Sequence, residues 1–164
     1  MDCIEVLGAY GGRGAGKNTT CFRLAPNIVI DAGNIIAPLK EEAESVEYVF
    51  LTHSHLDHVV DIPFLIDTFY AIKTKPLIIY GLAETLESLK ENILNWKVWP
   101  DFSELDLINK SGKSIIFTEI DFGDVFEISG LTIEPIKTCH TIASCGYKIT
   151  KDGRATIITS DTGP

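Results

Sequence analysis

Apolar residues recur in short runs along this chain, separated by turns that contain glycine, proline, asparagine or aspartate. Most runs are rich in β-branched or aromatic side chains, which is typical of strands. They predict strands over residues 4–8, 21–25, 27–31, 48–52, 76–80, 124–128, 131–138, 146–150 and 155–160. Two longer stretches, 59–72 and 83–94, have apolar residues at helical spacing and predict helices. Because strands outnumber helices, the pattern predicts an α+β fold with a mixed sheet and helices on its outer face.

The composition predicts one globular domain over residues 1–164, because 45% of the residues are hydrophobic and no linker or repeat interrupts the chain. A net charge of -9 disfavours a nucleic-acid polymer as partner, since its phosphates would be repelled. We see no secretory signal pattern and no run of membrane-spanning length, so we expect a cytoplasmic protein that makes no membrane contact. The four cysteines have no ordered spacing and are expected to be reduced thiols.

The densest group of reactive side chains follows the apolar run 48–52, where residues 53–58 read His-Ser-His-Leu-Asp-His. In extended chain, alternate side chains project to one side, which groups positions 53, 55 and 57. Imidazole nitrogens and carboxylate oxygens bind zinc and similar divalent ions, so four such groups in one short segment predict two neighbouring metal corners. The alternative is a polar turn in which Asp57 caps the next helix, and it is less favoured for so dense a cluster.

Two more candidate ligands follow predicted strands further along the chain. His140 comes after the run 131–138 and is the only histidine outside residues 53–58, which makes it the natural third imidazole of an incomplete metal corner. Asp161 follows the run 155–160, and a carboxylate at a strand end can bridge two cations. An aspartate before a glycine is also common in ordinary turns.

These motifs together resemble the metallo-β-lactamase superfamily, whose metal ligands lie on loops at one edge of a β-sandwich. The resemblance rests on residues 53–58 with Asp31, His140 and Asp161. Within the superfamily the chain is most similar to the class II cyclic-nucleotide phosphodiesterases, through residues 58–67, the tryptophan-containing stretch 96–102 and the early segment 18–22. The resemblance implies an αββα sandwich, of which this chain would hold the N-terminal portion.

The resemblance also implies a role for each motif residue. One divalent metal ion, with zinc as the expected element, would be held by His53, His55 and His140, a second by Asp57 and His58, with Asp161 as the bridge and Asp31 steadying the histidine loop. The superfamily pattern has one more histidine for the second metal beyond Asp161, and this sequence has none there. We therefore expect either a longer protein, or a partner chain or water at that position.

The implied activity is hydrolysis of a 3',5'-cyclic nucleotide, cAMP or cGMP, to the nucleoside 5'-phosphate. Two neighbouring cations would lower the pKa of a water so that metal-bound hydroxide attacks, with Asp57 and Asp161 as the catalytic carboxylates. No general acid for the leaving oxygen stands out. Two alternatives stay open: another hydrolase of this fold, acting on a thioester, lactone or RNA end, and a catalytically inactive interaction module. The expected partner is a small-molecule cyclic nucleotide, and a homodimer is compatible with the sequence.

Three further patterns are interpreted without a catalytic role. Residues 11–18 resemble a P-loop, but Asn18 replaces the hydroxyl residue that would hold magnesium, so they predict a mobile glycine hairpin whose Arg13 or Lys17 can meet a phosphate if it borders the site. Residues 121–123 read Asp-Phe-Gly without any other kinase motif and predict a turn. Trp96 and Trp99 are predicted to pack in the core, with a stacking surface for a purine as the alternative.

Overall fold

The computed structural model describes residues 4–163 as two β-sheets and a layer of helices. The strands in this part of the chain are β1 Glu5–Gly8, β2 Cys21–Ala25, β3 Ile28–Ile30, β4 Tyr48–Phe50, β5 Leu77–Gly81, β6 Ile115–Glu119, β7 Phe126–Ile128, β8 Leu131–Lys137, β9 Cys145–Lys151 and β10 Arg154–Ile158. The helices are α1 Ile36–Leu39, a 3-10 helix at Lys40–Ser45, α2 Leu56–Val59, α3 Asp61–Phe69 and α4 Ala83–Asn92.

The first sheet has the strand order β1-β2-β3-β4-β5-β6. Its pairs β1–β2 and β2–β3 are antiparallel, whereas β3–β4, β4–β5 and β5–β6 are parallel. The second sheet, in the order β10-β9-β8-β7, is antiparallel throughout. The mixed first sheet and the antiparallel second sheet confirm the α+β class.

Side-chain alternation along β4 separates two cores. Val49 packs with the helices on the outer face of the first sheet, whereas Phe50 packs between the two sheets. Between the sheets, the Phe50 ring stacks on Tyr80 at 4.4 Å and meets Tyr147 edge-on at 5.5 Å. The described residues therefore form three layers, with helices over the first sheet and the second sheet beneath it.

The helix predicted over residues 59–72 is wrong in its bounds, because the chain forms α2 from Leu56 and begins a new helix at Asp61. Pro63 explains the break, since a continuous helix would need an N–H at that position, whereas proline is tolerated in the first turn of α3. The Asp61 N–H instead donates to Ala32 O at 2.8 Å. No helix within residues 4–163 is long and apolar enough to span a lipid bilayer.

All nine predicted strands have a counterpart in the sheets, but β6 and α1 were not predicted. Strand β6 pairs in parallel with β5 and forms one edge of the first sheet. Its burial is uneven, with Ile115 buried and Ile116 41% exposed, so it lacks the sustained apolar run of a central strand. Because β6 lies at the edge of the first sheet, its apolar pattern is too weak to predict a strand.

Candidate metal centre

Three histidines converge at one end of the two sheets. His53 Nε2 lies 3.0 Å from His55 Nδ1, and His140 Nε2 lies 3.2 Å from the same His55 atom. Zinc–nitrogen bonds of about 2.0–2.1 Å at tetrahedral angles place ligand nitrogens roughly 3.3 Å apart, so the observed spacing fits one shared cation. A neutral imidazole has only one N–H, and three ring nitrogens facing each other leave lone pairs that a cation would satisfy.

A second group of potential ligands adjoins the first. Ligand atoms of His53, His58 and Asp161 lie within 4.8 Å of one another. His58 Nε2 is 3.4 Å from Asp57 Oδ2 and 3.7 Å from Asp161 Oδ1. Within residues 4–163 this buried nitrogen has no hydrogen-bond partner. A buried nitrogen that faces two carboxylates without a hydrogen bond fits a second divalent cation held by His58, Asp57 and Asp161.

Asp31 orients His58 from the side opposite the carboxylates. His58 Nδ1 lies 2.8 Å from Asp31 Oδ2, and both side chains are fully buried. An Nδ1–H donated to Asp31 leaves the Nε2 lone pair free for a metal. Burial lowers the pKa of His58, but the hydrogen bond and charge of Asp31 outweigh it and raise the net value. Burial also raises the pKa of the Asp31 carboxyl, against the lowering effect of His58.

His53 is held neutral at physiological pH. Burial, followed by the charges of the three other histidines, lowers its pKa to about 3. Its Nδ1 lies 3.0 Å from Thr52 Oγ1, so a proton on Nδ1 leaves Nε2 unprotonated and facing His55. A neutral imidazole with a free lone pair is the form that binds metal.

The buried Thr52 hydroxyl connects the two halves of the site. It lies 2.9 Å from Asp31 Oδ2 and 2.8 Å from Ser160 Oγ, while the Thr52 N–H donates to Asp31 Oδ1 at 2.9 Å. Ser160 precedes Asp161 in the segment after β10, so the network ties that carboxylate to the histidine loop. Thr52 and Ser160 were not predicted, because single hydroxyl residues next to strands are too common to stand out.

Backbone hydrogen bonds fix the turn that presents Asp57 and His58. Thr20 N donates to Asp57 O at 3.1 Å, and Ala32 N donates to His58 O at 2.6 Å. Gly33 fits beside this turn only because it has no side chain, since a Cβ there would lie 1.9 Å from Asp57 O. The turn is therefore positioned by β2 and by the segment after β3, both on the first sheet.

The second sheet contributes the remaining ligands. His140 follows β8 and Asp161 follows β10. Two contacts align the sheets here: Cys145 N donates to Thr52 O at 2.9 Å, and the Tyr147 hydroxyl donates to Leu51 O at 2.6 Å. The structure thus brings together every ligand predicted from the sequence, namely His53, His55, Asp57, His58, His140 and Asp161.

The glycine hairpin borders this site, a position that the sequence left open. The Gly14 and Lys17 backbones bond to each other, and a Cβ on Gly11 would lie 3.6 Å from Asp57 Oδ2. Arg13, predicted as a possible phosphate contact, donates instead to Asp61 Oδ1 at 2.9 Å and to a backbone carbonyl at 2.7 Å. This bridge was not predicted, because its partners are 48 positions apart in the sequence.

The tryptophans contribute more to packing than to the site. Trp99 packs on the helix-side core and meets the Phe64 ring edge-on at 5.0 Å. Trp96 is 55% exposed, and its indole N–H donates to Glu104 at 2.8 Å. Core packing is confirmed for Trp99 and wrong for Trp96. The cavity that contains His140 is lined by neither tryptophan.

Comparisons with known proteins agree with this geometry. The family of class-II cAMP phosphodiesterases matches residues 25–152. The metallo-β-lactamase fold protein YhfI from Bacillus subtilis superposes with a TM-score of 0.69 at 22% identity, over 96% of this chain and 62% of that one. Unliganded yeast PDE1 superposes with a TM-score of 0.80 at 17% identity, over 98% of this chain and 65% of that one. Both likenesses show the metallo-β-lactamase fold.

Among curated relatives, tRNase Z TRZ1 from Arabidopsis thaliana is 32% identical over 144 residues, which is 84% of this chain and 45% of that protein. The chain therefore spans less than half the length of this relative. The match to residues 25–152 covers most of the chain and the strands from β3 to β9. The chain is a metallo-β-lactamase-fold protein, and it belongs to the class-II cAMP phosphodiesterase family.

Proposed function

We propose that this chain carries the metal-binding part of a phosphodiesterase that opens 3',5'-cyclic nucleotides to nucleoside 5'-phosphates. The observation that carries the proposal is the family match over residues 25–152. The converging histidines support it, because they provide the donor set that such a hydrolase needs. Tetrahedral nitrogen spacing favours zinc as the metal.

The ligands divide between two neighbouring cations. His53, His55 and His140 would hold the first, while Asp57, His58 and Asp161 would hold the second. When bound, such cations would supply positive charge to the phosphoryl oxygens and would lower the pKa of a water molecule. The chain's own residues keep the nitrogens available: Asp31 holds the proton on His58 Nδ1, and burial keeps His53 neutral. The Asp161 side chain is 49% exposed, so it lies where a diester could approach from solvent.

Charge favours a small substrate over a polymer. With a net charge of -9, the chain repels a long polyphosphate backbone more than a single cyclic diester, whose one charge would lie against the cations. A second candidate, hydrolysis at an RNA end, is favoured by the 32% identity to a tRNase Z over most of the chain. The two candidates share the metal centre and differ in the leaving group and in the surface that the substrate covers.

The test is a parallel assay of the intact, zinc-loaded protein on cAMP, cGMP and a precursor tRNA. We expect nucleoside 5'-phosphate from a cyclic nucleotide and no trimmed RNA. His55→Ala should lower turnover at least about a hundredfold, whereas Ser54→Ala, a matched change between two ligands, should retain it. Circular dichroism and zinc content per chain would separate lost metal from lost fold. Trimmed RNA without cyclic-nucleotide turnover would establish the second candidate instead.

A further inference from the structure

A cavity of about 470 Å³ opens directly beside the metal centre, and its wall includes His140. Three segments form it: the start of α4, the loop after β6, and the loop between β8 and β9 that carries His140. This volume lies within the range of small-molecule sites, roughly 300–1,000 Å³. Because His140 is both a wall residue and a predicted ligand, a molecule that fills the cavity would contact one residue of the metal centre.

The cavity wall presents unusually exposed apolar side chains. Phe122 is 42% exposed and Ile142 is 37% exposed, and both line the cavity together with the buried Leu82. The Lys137 ammonium lies 5.4 Å from the centre of the Phe122 ring, a cation–π contact that restrains the ring. The exposed part of the ring leaves area for a second flat partner.

The charges around the cavity disfavour the binding of a phosphate group there. Three exposed carboxylates, those of Glu84, Glu119 and Asp121, line it with a single lysine, Lys137. A phosphate would meet net negative charge there, whereas an uncharged ring with amino groups would find hydrogen-bond acceptors. The cavity is therefore suited to the neutral portion of a substrate whose phosphate lies at the cations.

From these observations we propose that the cavity binds the nucleobase of the cyclic nucleotide, with Phe122 as its stacking surface. This inference rests on the proposed function. It also gives a role to the turn at residues 121–123, for which the sequence suggested none. The carboxylates beside Phe122 would accept hydrogen bonds from an amino-bearing base, which suits adenine and guanine alike.

The test compares Michaelis constants of the intact, zinc-loaded protein for cAMP and for methyl β-ribofuranoside 3',5'-cyclic phosphate, which carries the same diester without a base. Phe122→Ala should raise KM for cAMP roughly tenfold, the effect expected for one lost base–aromatic stack, and raise KM for the base-free diester much less. Phe122→Tyr should restore the affinity. Val125→Ala is the control, because Val125 is an exposed apolar residue three positions on that does not line the cavity.

The outcomes separate the two proposals. If Phe122→Ala leaves KM for cAMP within twofold of the parent protein, the base lies elsewhere and the cavity assignment is overturned while the phosphodiesterase stands. Equal increases for both diesters would also overturn it, because the substitution would then act on the metal centre or the fold. If the parent protein hydrolyses neither diester, the proposed function itself fails.

Discussion

Asp61 connects three segments around the metal loop, and its removal provides the sharpest test of how that loop is held. Its Oδ2 accepts the N–H groups of Ile35 at 2.7 Å and Ile36 at 3.1 Å, at the start of α1. Its Oδ1 accepts Arg13 Nη2 at 2.9 Å. The Asp61 side chain is 8% exposed, whereas that of Arg13 is 52% exposed. The two partners of this ion pair should therefore contribute very unequally to stability.

We expect Asp61→Ala to lower the free energy of unfolding by about 3 kcal/mol. The two amide bonds share one charged oxygen, and losing this acceptor should cost about 2–3 kcal/mol, as for a lost charged helix cap. The ion pair adds at most about 1 kcal/mol, because solvent screens the half-exposed arginine. Arg13→Ala should therefore cost only about 1 kcal/mol. Asp61→Asn keeps an acceptor oxygen but removes the negative charge, so its loss in free energy of unfolding should lie between those of Asp61→Ala and Arg13→Ala.

The assay is urea denaturation of the metal-free proteins, followed by far-ultraviolet circular dichroism, so that ligand binding does not contribute to stability. For a chain of this size, 3 kcal/mol corresponds to a fall in melting temperature of roughly 6–12 °C. If Asp61→Ala and Arg13→Ala destabilise equally, the backbone amides do not depend on Asp61 and the reasoning is refuted. If Asp61→Ala lowers the free energy of unfolding by less than about 1 kcal/mol, the backbone amides likewise do not depend on Asp61.

Three further substitutions test other parts of the structure. Gly33→Ala should destabilise by about 3 kcal/mol and weaken zinc binding, measured by urea denaturation and competitive zinc titration, because the new Cβ would lie 1.9 Å from Asp57 O. Tyr147→Phe should cost about 1–2 kcal/mol by urea denaturation, since it removes the buried 2.6 Å hydrogen bond to Leu51 O, and an unchanged midpoint would contradict this. Burial lowers the pKa of Lys73 below its ordinary 10.5, so just below pH 10.5 the unfolded chain binds more protons than the folded chain and stability rises with pH. Lys73→Met should abolish this rise, measured by urea denaturation of the variant and of the parent protein across that pH range.

The metal ligands were predictable because chemistry and spacing coincide in them. Residues 53–58 place four donors in one turn, and a chain with only one other histidine leaves few choices for the third imidazole. Asp161 required the resemblance as well, because an aspartate after a strand is common in turns. Most strands were equally predictable, since their apolar runs are bounded by turn residues.

The features that could not be predicted from the sequence depend on contacts between residues that are far apart in the chain. The Asp61–Arg13 bridge and the Thr52–Ser160 bond join residues 48 and 108 positions apart, and no sequence pattern links either residue to its partner. The sequence predicts only a turn around Phe122, because nothing local shows that its loop lines the same cavity as His140. Such juxtapositions follow from how the two sheets pack, which apolar periodicity alone does not specify.

The division of the ligands between the two sheets has a consequence for the lifetime of the protein. Elsewhere the sheets meet largely through apolar side chains, but at this rim the histidine loop of one faces His140 and Asp161 of the other. A cation bound there would act as a cross-link, and a free divalent metal at a thousand times its dissociation constant would stabilise the folded state by about 4 kcal/mol. Scarcity of that metal would therefore weaken this rim and expose the chain to proteases, so that the abundance of the protein would follow the supply of its metal.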